Sequence, residues 1–189
     1  MDNLTPLARR ILKLNAERAF EKLVIGPTEG NPAALADLTS AGPDVLLANP
    51  VIDDNEARCV LAGLWTWQDY FDEPHEICQA VETPSGSWWH AILHRREGDF
   101  SNSKYWYAKV GRHDALQAVA NNATVILRDA PADLLLLKVC TPTFSGPALV
   151  DLVQQVHRNP NDPRYRTVVA LQQLEFRTLF EWNVARAQK

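Results

Sequence analysis

Apolar residues recur along most of this chain with the 3.6-residue period of an amphipathic α-helix rather than the alternation of a strand. The first such segment opens with Thr5-Pro6, a capping side chain followed by a residue suited to the first helical turn. Behind it Ala8, Leu12, Ala16, Ala19 and Leu23 form an apolar face, with Arg9, Arg10, Lys13, Glu17 and Arg18 on the wet side. This predicts a long N-terminal helix. From 24 to 52 the period fails: Gly26-Pro27, Gly30-Asn31-Pro32 and Gly42-Pro43 are turn formers, and the fragments Ala33 to Leu38 and Val45 to Ala48 leave room only for short helices in an irregular connection.

Asp53 followed by Glu56 has the spacing of a capping box, and Ala57, Val60, Leu61, Leu64, Trp67 and Phe71 carry the helical period behind it to about Tyr70. A shorter helix through Ile77, Cys78 and Val81 follows, opened by Asp72 and ended by Pro84 and Gly86. A helix through Trp88, Ile92 and Leu93 runs to Gly98, which can take left-handed angles at a C-terminus, and the next reaches Gly111 by way of Trp106, Tyr107 and Val110. Asp114 to Ala120 reads as a short helix. Thr124 to Leu127 and Leu134 to Val139 are short apolar runs that fit a small β-hairpin within 124–140 as well as they fit helical turns. Leu149, Leu152, Val153 and Val156 make a helix that Asn159-Pro160 stops. Asp162-Pro163 opens a last helix to about Ala187, apolar around most of its circumference and therefore packed on several sides. The expected fold is a single all-α domain over 1–189, with a pair of helix hairpins from Ala57 to Gly111 packed against long N- and C-terminal helices.

Composition narrows the functional classes. A chain of 189 residues that is 46% hydrophobic and 22% charged has the balance of a folded globular protein. Its net charge of -4 is mixed along the chain with no basic stripe, which argues against nucleic acid as a partner. Apolar runs such as Leu134 to Leu137 fall far short of the roughly 20 residues that span a bilayer. Met1 to Pro6 carries no secretory pattern, so a cytoplasmic protein with no membrane partner is expected. Cys59, Cys78 and Cys140 are odd in number and lie in apolar surroundings without a C-x-x-C pair, as buried free thiols of a reducing compartment do. Phosphate-binding glycine motifs, G-x-S-x-G and cysteine-histidine zinc spacings are absent from the sequence.

Two resemblances bear on organisation. The stretch from Leu61 through Phe71 to Val81 echoes His90 through Phe100 to Val110, each a helix, an aromatic-bearing turn and a second helix. Arg95-Arg96-Glu97-Gly98-Asp99-Phe100 followed by Lys104-Tyr105-Trp106-Tyr107 resembles the turn of a tetratricopeptide-type hairpin, although Pro74 and Ser103 stand where that motif places alanine. The run from Trp88 to Trp106, together with the Phe180-Glu181-Trp182 neighbourhood, is similar to a signature of an uncharacterised, mostly bacterial protein group. That likeness implies a shared helical domain and no particular chemistry.

The candidate chemistry lies in the second hairpin. His90, His94 and Glu97 stand at i, i+4 and i+7, so they project along one helical stripe. Two imidazoles one turn apart can share a divalent metal, with the carboxylate as a third ligand or a base. The zinc-protease pattern is absent, because Ala91, Ile92 and Leu93 separate the histidines. The competing reading is a helix-helix contact in which the histidines hydrogen-bond and Glu97 pairs with an Arg or Lys. Hairpin packing would bring the helix carrying His75 against this stripe, which makes a three-histidine cluster geometrically available; otherwise His75 is a polar residue near a helix start. Trp89 lies beside the stripe as a candidate ligand contact, whereas Trp106 and Tyr107 share a face with Val110 and read as core. Arg95, Arg96 and Lys104 can form an anion pocket near Ser101 or a solvated charged face. Two functions follow: a non-catalytic binding protein that presents the hairpin surface to a protein or small-molecule partner, or a small metal- or ligand-dependent enzyme built on His75, His90, His94 and Glu97.

Overall fold

The computed structural model describes residues 2–26 and 30–189, so the Gly26-Pro27 turn falls partly outside the described residues. Its helices are α1 (Pro6–Lys13), α2 (Pro32–Ser40), α3 (Asp54–Trp67), α4 (Asp72–Ala80), α5 (Pro84–Glu97), α6 (Phe100–Val110), α7 (Ala115–Arg128), α8 (Leu134–Cys140), α9 (Gly146–Val156) and α10 (Tyr165–Ala187). Among the described residues β-structure is limited to two isolated bridges, Leu4 with Leu47 and Val51 with Gln188. The all-α expectation therefore holds.

Most helix starts are those the capping residues indicate. Thr5, Asp53, Thr83, Asp99, Asp133 and Ser145 each accept a hydrogen bond from an otherwise orphaned first-turn N–H. At Asp53 only half of the capping box forms, because Glu56 turns its carboxylate towards Ser85 and Asn183. Asp72 is the first residue of α4 rather than its cap, a position held by Phe71 with no side-chain bond.

One sequence expectation gives way and one open alternative is decided. The N-terminal helix ends at Lys13 rather than continuing to Leu23. The carbonyls that would accept the next helical bonds are taken by the end of α3: Gln68 Nε2 donates to Ile11 O, and Trp67 Nε1 to Leu12 O at 2.9 Å. The chain then turns, and Phe20 adopts a left-handed φ of 60° that is incompatible with a helix interior. The segment 124–140, open to a hairpin or to helical turns, forms the end of α7 and all of α8. Its first apolar run is the end of an amphipathic helix whose inward face begins upstream at Ala115, Val119, Ala120 and Ala123; its second is nucleated by Asp133, which caps the Leu135 and Leu136 N–H groups. The connection from 24 to 52 likewise holds one regular helix, α2, capped by Asn31.

The packing order positions everything that follows. α4 packs on both α3 and α5, α5 packs on α6, and α10 runs against α3, α7 and α9. As a result α5 is enclosed, with Trp88, Trp89, His90, Ala91, Ile92, Leu93, Arg95 and Arg96 all buried. Close approach of α3 to its neighbours depends on Gly63, where a Cβ would lie 2.8 Å from the Phe180 ring and 3.0 Å from that of Trp89. Gly98, at φ +89°, ends α5 in the left-handed conformation and turns the chain into α6. An enclosed helix must give each polar side chain an internal partner, and α5 carries many.

Candidate metal centre

Because α4 lies alongside α5, His75 on α4 meets His90 and His94 on α5. The His75 ring centroid is 4.9 Å from that of His90 and 4.7 Å from that of His94. His90 and His94, one helical turn apart, stack at 4.9 Å with an interplanar angle of 11°. One nitrogen of each imidazole can be chosen so that all three lie within 4.8 Å of one another. These side chains can coordinate a divalent metal. Imidazole is a ligand suited to zinc, copper, iron and nickel.

Glu97, one turn beyond His94, closes the group. Its Oε1 lies 3.0 Å from His75 Nε2 and its Oε2 lies 3.2 Å from His94 Nδ1. Burial raises the carboxyl pKa, but the His75 hydrogen bond and the closeness of His94 outweigh that and hold it at about 2, so Glu97 is an anion at neutral pH. At His90 the balance goes the other way: burial, then His75 and His94, lower the imidazole to about 3, against a weaker pull from Glu97. His90 is therefore neutral, the form in which an imidazole ligates a metal.

Hydrogen bonding leaves the cluster incomplete. The Nδ1 atoms of His90 and His94 are buried and have no hydrogen-bond partner; His94 Nδ1 is close to Glu97 but not aligned with it. A buried polar nitrogen without a partner costs about 1–3 kcal/mol. Around the cluster, the Trp106 ring lies parallel to His90 at 3.9 Å, and Lys109 Nζ stands 4.5 Å from the Trp106 ring. Trp106 also forms a wall of an adjoining cleft of about 560 Å³, lined by Cys78, Thr83, Ser87 and Lys109.

The structure thus brings His75, His90, His94 and Glu97 together and places the other sequence candidates elsewhere. Arg95 is fully buried against Glu175, and Trp89 is fully buried with its Nε1 donating to Asn183 Oδ1 at 2.7 Å. Lys104 pairs with Asp151 at the surface. Arg96 is buried against Asp69 and over the Phe20 ring, so Arg95, Arg96 and Lys104 form neither an anion pocket nor a solvated face. Trp106, read as core from its spacing, is half-buried against His90, and Glu97 pairs with histidines rather than with an Arg or Lys.

One constellation carries no signal in the sequence. Ser85 Oγ lies 3.1 Å from His113 Nε2 and donates to Glu56 at 3.0 Å. It is not a nucleophile pair. His113 Nδ1 accepts from the Ala115 N–H, so Nε2 carries the ring hydrogen and cannot take the serine proton; Ser85 is also only 1% exposed.

No family model, curated protein or solved structure matches this chain. The functional reading therefore stands on the geometry of the cluster.

Proposed function

We propose that this protein binds a divalent transition metal through His75, His90 and His94, and that this centre is its functional site. The observation that carries the reading is the convergence of three imidazoles from two helices with buried nitrogens left unpartnered. A bound ion supplies those nitrogens with a partner. Arg95 Nε and Arg96 Nε are also buried without partners, so the convergence of three imidazoles carries the greater weight.

The reading favours a metal-dependent activity over a helical surface that docks a partner, and the cleft beside Trp106 gives a small molecule room next to the centre. Elemental analysis of purified protein, paired with His90→Ala and His94→Ala, tests it. Near-stoichiometric zinc, iron, nickel or copper in the parent protein, lost in both variants while the far-ultraviolet helical signal persists, supports the proposal. Metal-free parent protein that takes up none of these ions on dialysis refutes it.

A further inference from the structure

We infer that Glu97 is a positioning residue rather than a ligand, and that the metal therefore keeps one coordination position open to a small exogenous anion. This deepens the metal reading above and rests on it.

The converging set is His75, His90 and His94, without Glu97. Each Glu97 oxygen instead faces a ring nitrogen, at 3.0 Å for His75 Nε2 and 3.2 Å for His94 Nδ1. An ionised carboxylate only accepts, so His75 Nε2, which hydrogen-bonds Glu97, carries a hydrogen and His75 Nδ1 keeps its lone pair for the metal, while His94 Nδ1 is near Glu97 without a bond to it. A carboxylate held behind a metal-bound imidazole in this way fixes its tautomer and makes it a stronger ligand. Here the carboxylate holds the His75 ring and leaves His94 Nδ1 unbonded.

Among the described residues no fourth ligand joins the set. Asp99, 4.0 Å from His94 Nδ1, spends its oxygens on Ser101 Oγ, the Asn102 N–H and Asn102 Nδ2 at the start of α6. Cys78, one turn from His75 on α4, is buried, lies outside the set, and has its thiol pushed up by that burial. Three protein donors with a vacant fourth position is the pattern of a centre that binds an outside ligand, whereas structural zinc sites are closed by four. The His75 and His94 side chains are 21% and 14% exposed, so the cluster is not sealed inside the core. Three neutral imidazoles add no charge to a divalent ion and Glu97 offsets only part of it. Lys109, which opposes protonation of His90, adds another positive charge nearby. With Asp99 near His94 the remaining positive charge is small, and it favours an anion over a neutral ligand.

Cobalt(II) substitution followed by azide titration tests this. The parent protein should take up one equivalent of cobalt(II) and give a visible spectrum that shifts as azide is added. Glu97→Gln should bind the same equivalent with the same band shape and azide response at roughly 10- to 100-fold weaker affinity, and Glu97→Asp should recover part of the loss. If Glu97→Gln does not fold, the Glu97→Asp protein carries the affinity comparison alone. A parent spectrum indifferent to azide, or a Glu97→Gln spectrum of different coordination geometry, overturns the inference while leaving the metal site standing. No cobalt(II) band in the parent protein removes the metal reading itself, and this inference with it.

Discussion

Neighbouring residues on α5 enter two polar clusters, one held by a buried ion pair and one made of converging imidazoles. On the α10 side, Glu175 is fully buried and receives hydrogen bonds from Trp88 Nε1 at 2.7 Å, from the Tyr107 hydroxyl at 2.5 Å and from Arg95 at 2.5 Å. Arg95 also donates to the Tyr107 oxygen. Burial works against the Arg95 charge, yet Glu175 and Tyr107 outweigh it and raise its pKa. On the α4 side, His90 Nδ1 and His94 Nδ1 bond to nothing, as does Arg95 Nε in the first cluster, but the His94 side chain is 14% exposed and no buried acid-base pair closes the group. A cluster whose acid and base answer each other holds helices together. One whose imidazoles converge on a shared point can take a metal ion from outside.

Cutting the closed cluster should have the largest effect. Glu175→Ala strands a buried guanidinium together with two buried donors and should cost about 3–5 kcal/mol in urea unfolding. A cost under about 1 kcal/mol would mean that the Arg95 charge has another route to solvent. The metal comes next. Free ion at about 1,000 times its dissociation constant should raise the unfolding free energy of the parent protein by about 4 kcal/mol and leave His94→Ala unmoved. Equal stabilisation of both would place the binding elsewhere.

In metal-free protein the open cluster should tolerate what the closed one cannot. His90→Leu removes a buried unpartnered nitrogen and keeps most of the packing against Trp106, so it should change stability by no more than about 1 kcal/mol. A loss comparable with that of Glu175→Ala would show that the histidines are a structural contact after all. The smallest effect concerns His113, whose imidazole pKa is lowered by burial despite Asp114. Below the ordinary value near 6.5 the unfolded chain binds a proton that the folded chain does not, so stability should fall as pH drops through that range. His113→Gln should flatten that part of the curve between pH 7.5 and 5.5; an unchanged slope would assign it to other groups.

The sequence made one cluster partly legible and hid the other for a physical reason. The His90, His94 and Glu97 stripe is local, a matter of helical period, and His75 could be joined to it only by supposing that consecutive hairpin helices pack side by side, as α4 and α5 do. Glu175 is remote in sequence from Arg95 and Tyr107, and nothing at its position identifies a partner. The available hint was general: α10 is apolar around most of its circumference, so its polar residues must also face inward, and Gln172, Glu175 and Asn183 are all buried. The end of α1 was illegible for a similar reason. The period from Ala8 to Leu23 is genuine, but Trp67 and Gln68, distant in sequence, capture the carbonyls needed to continue the helix.

The most direct test of the central claim is the metal content of protein purified without added metal or chelator, measured by mass spectrometry alongside His75→Ala. The account predicts close to one transition-metal ion per parent chain and almost none in the variant. Parent protein that is empty and stays empty after dialysis against zinc, iron(II), nickel and copper would contradict it.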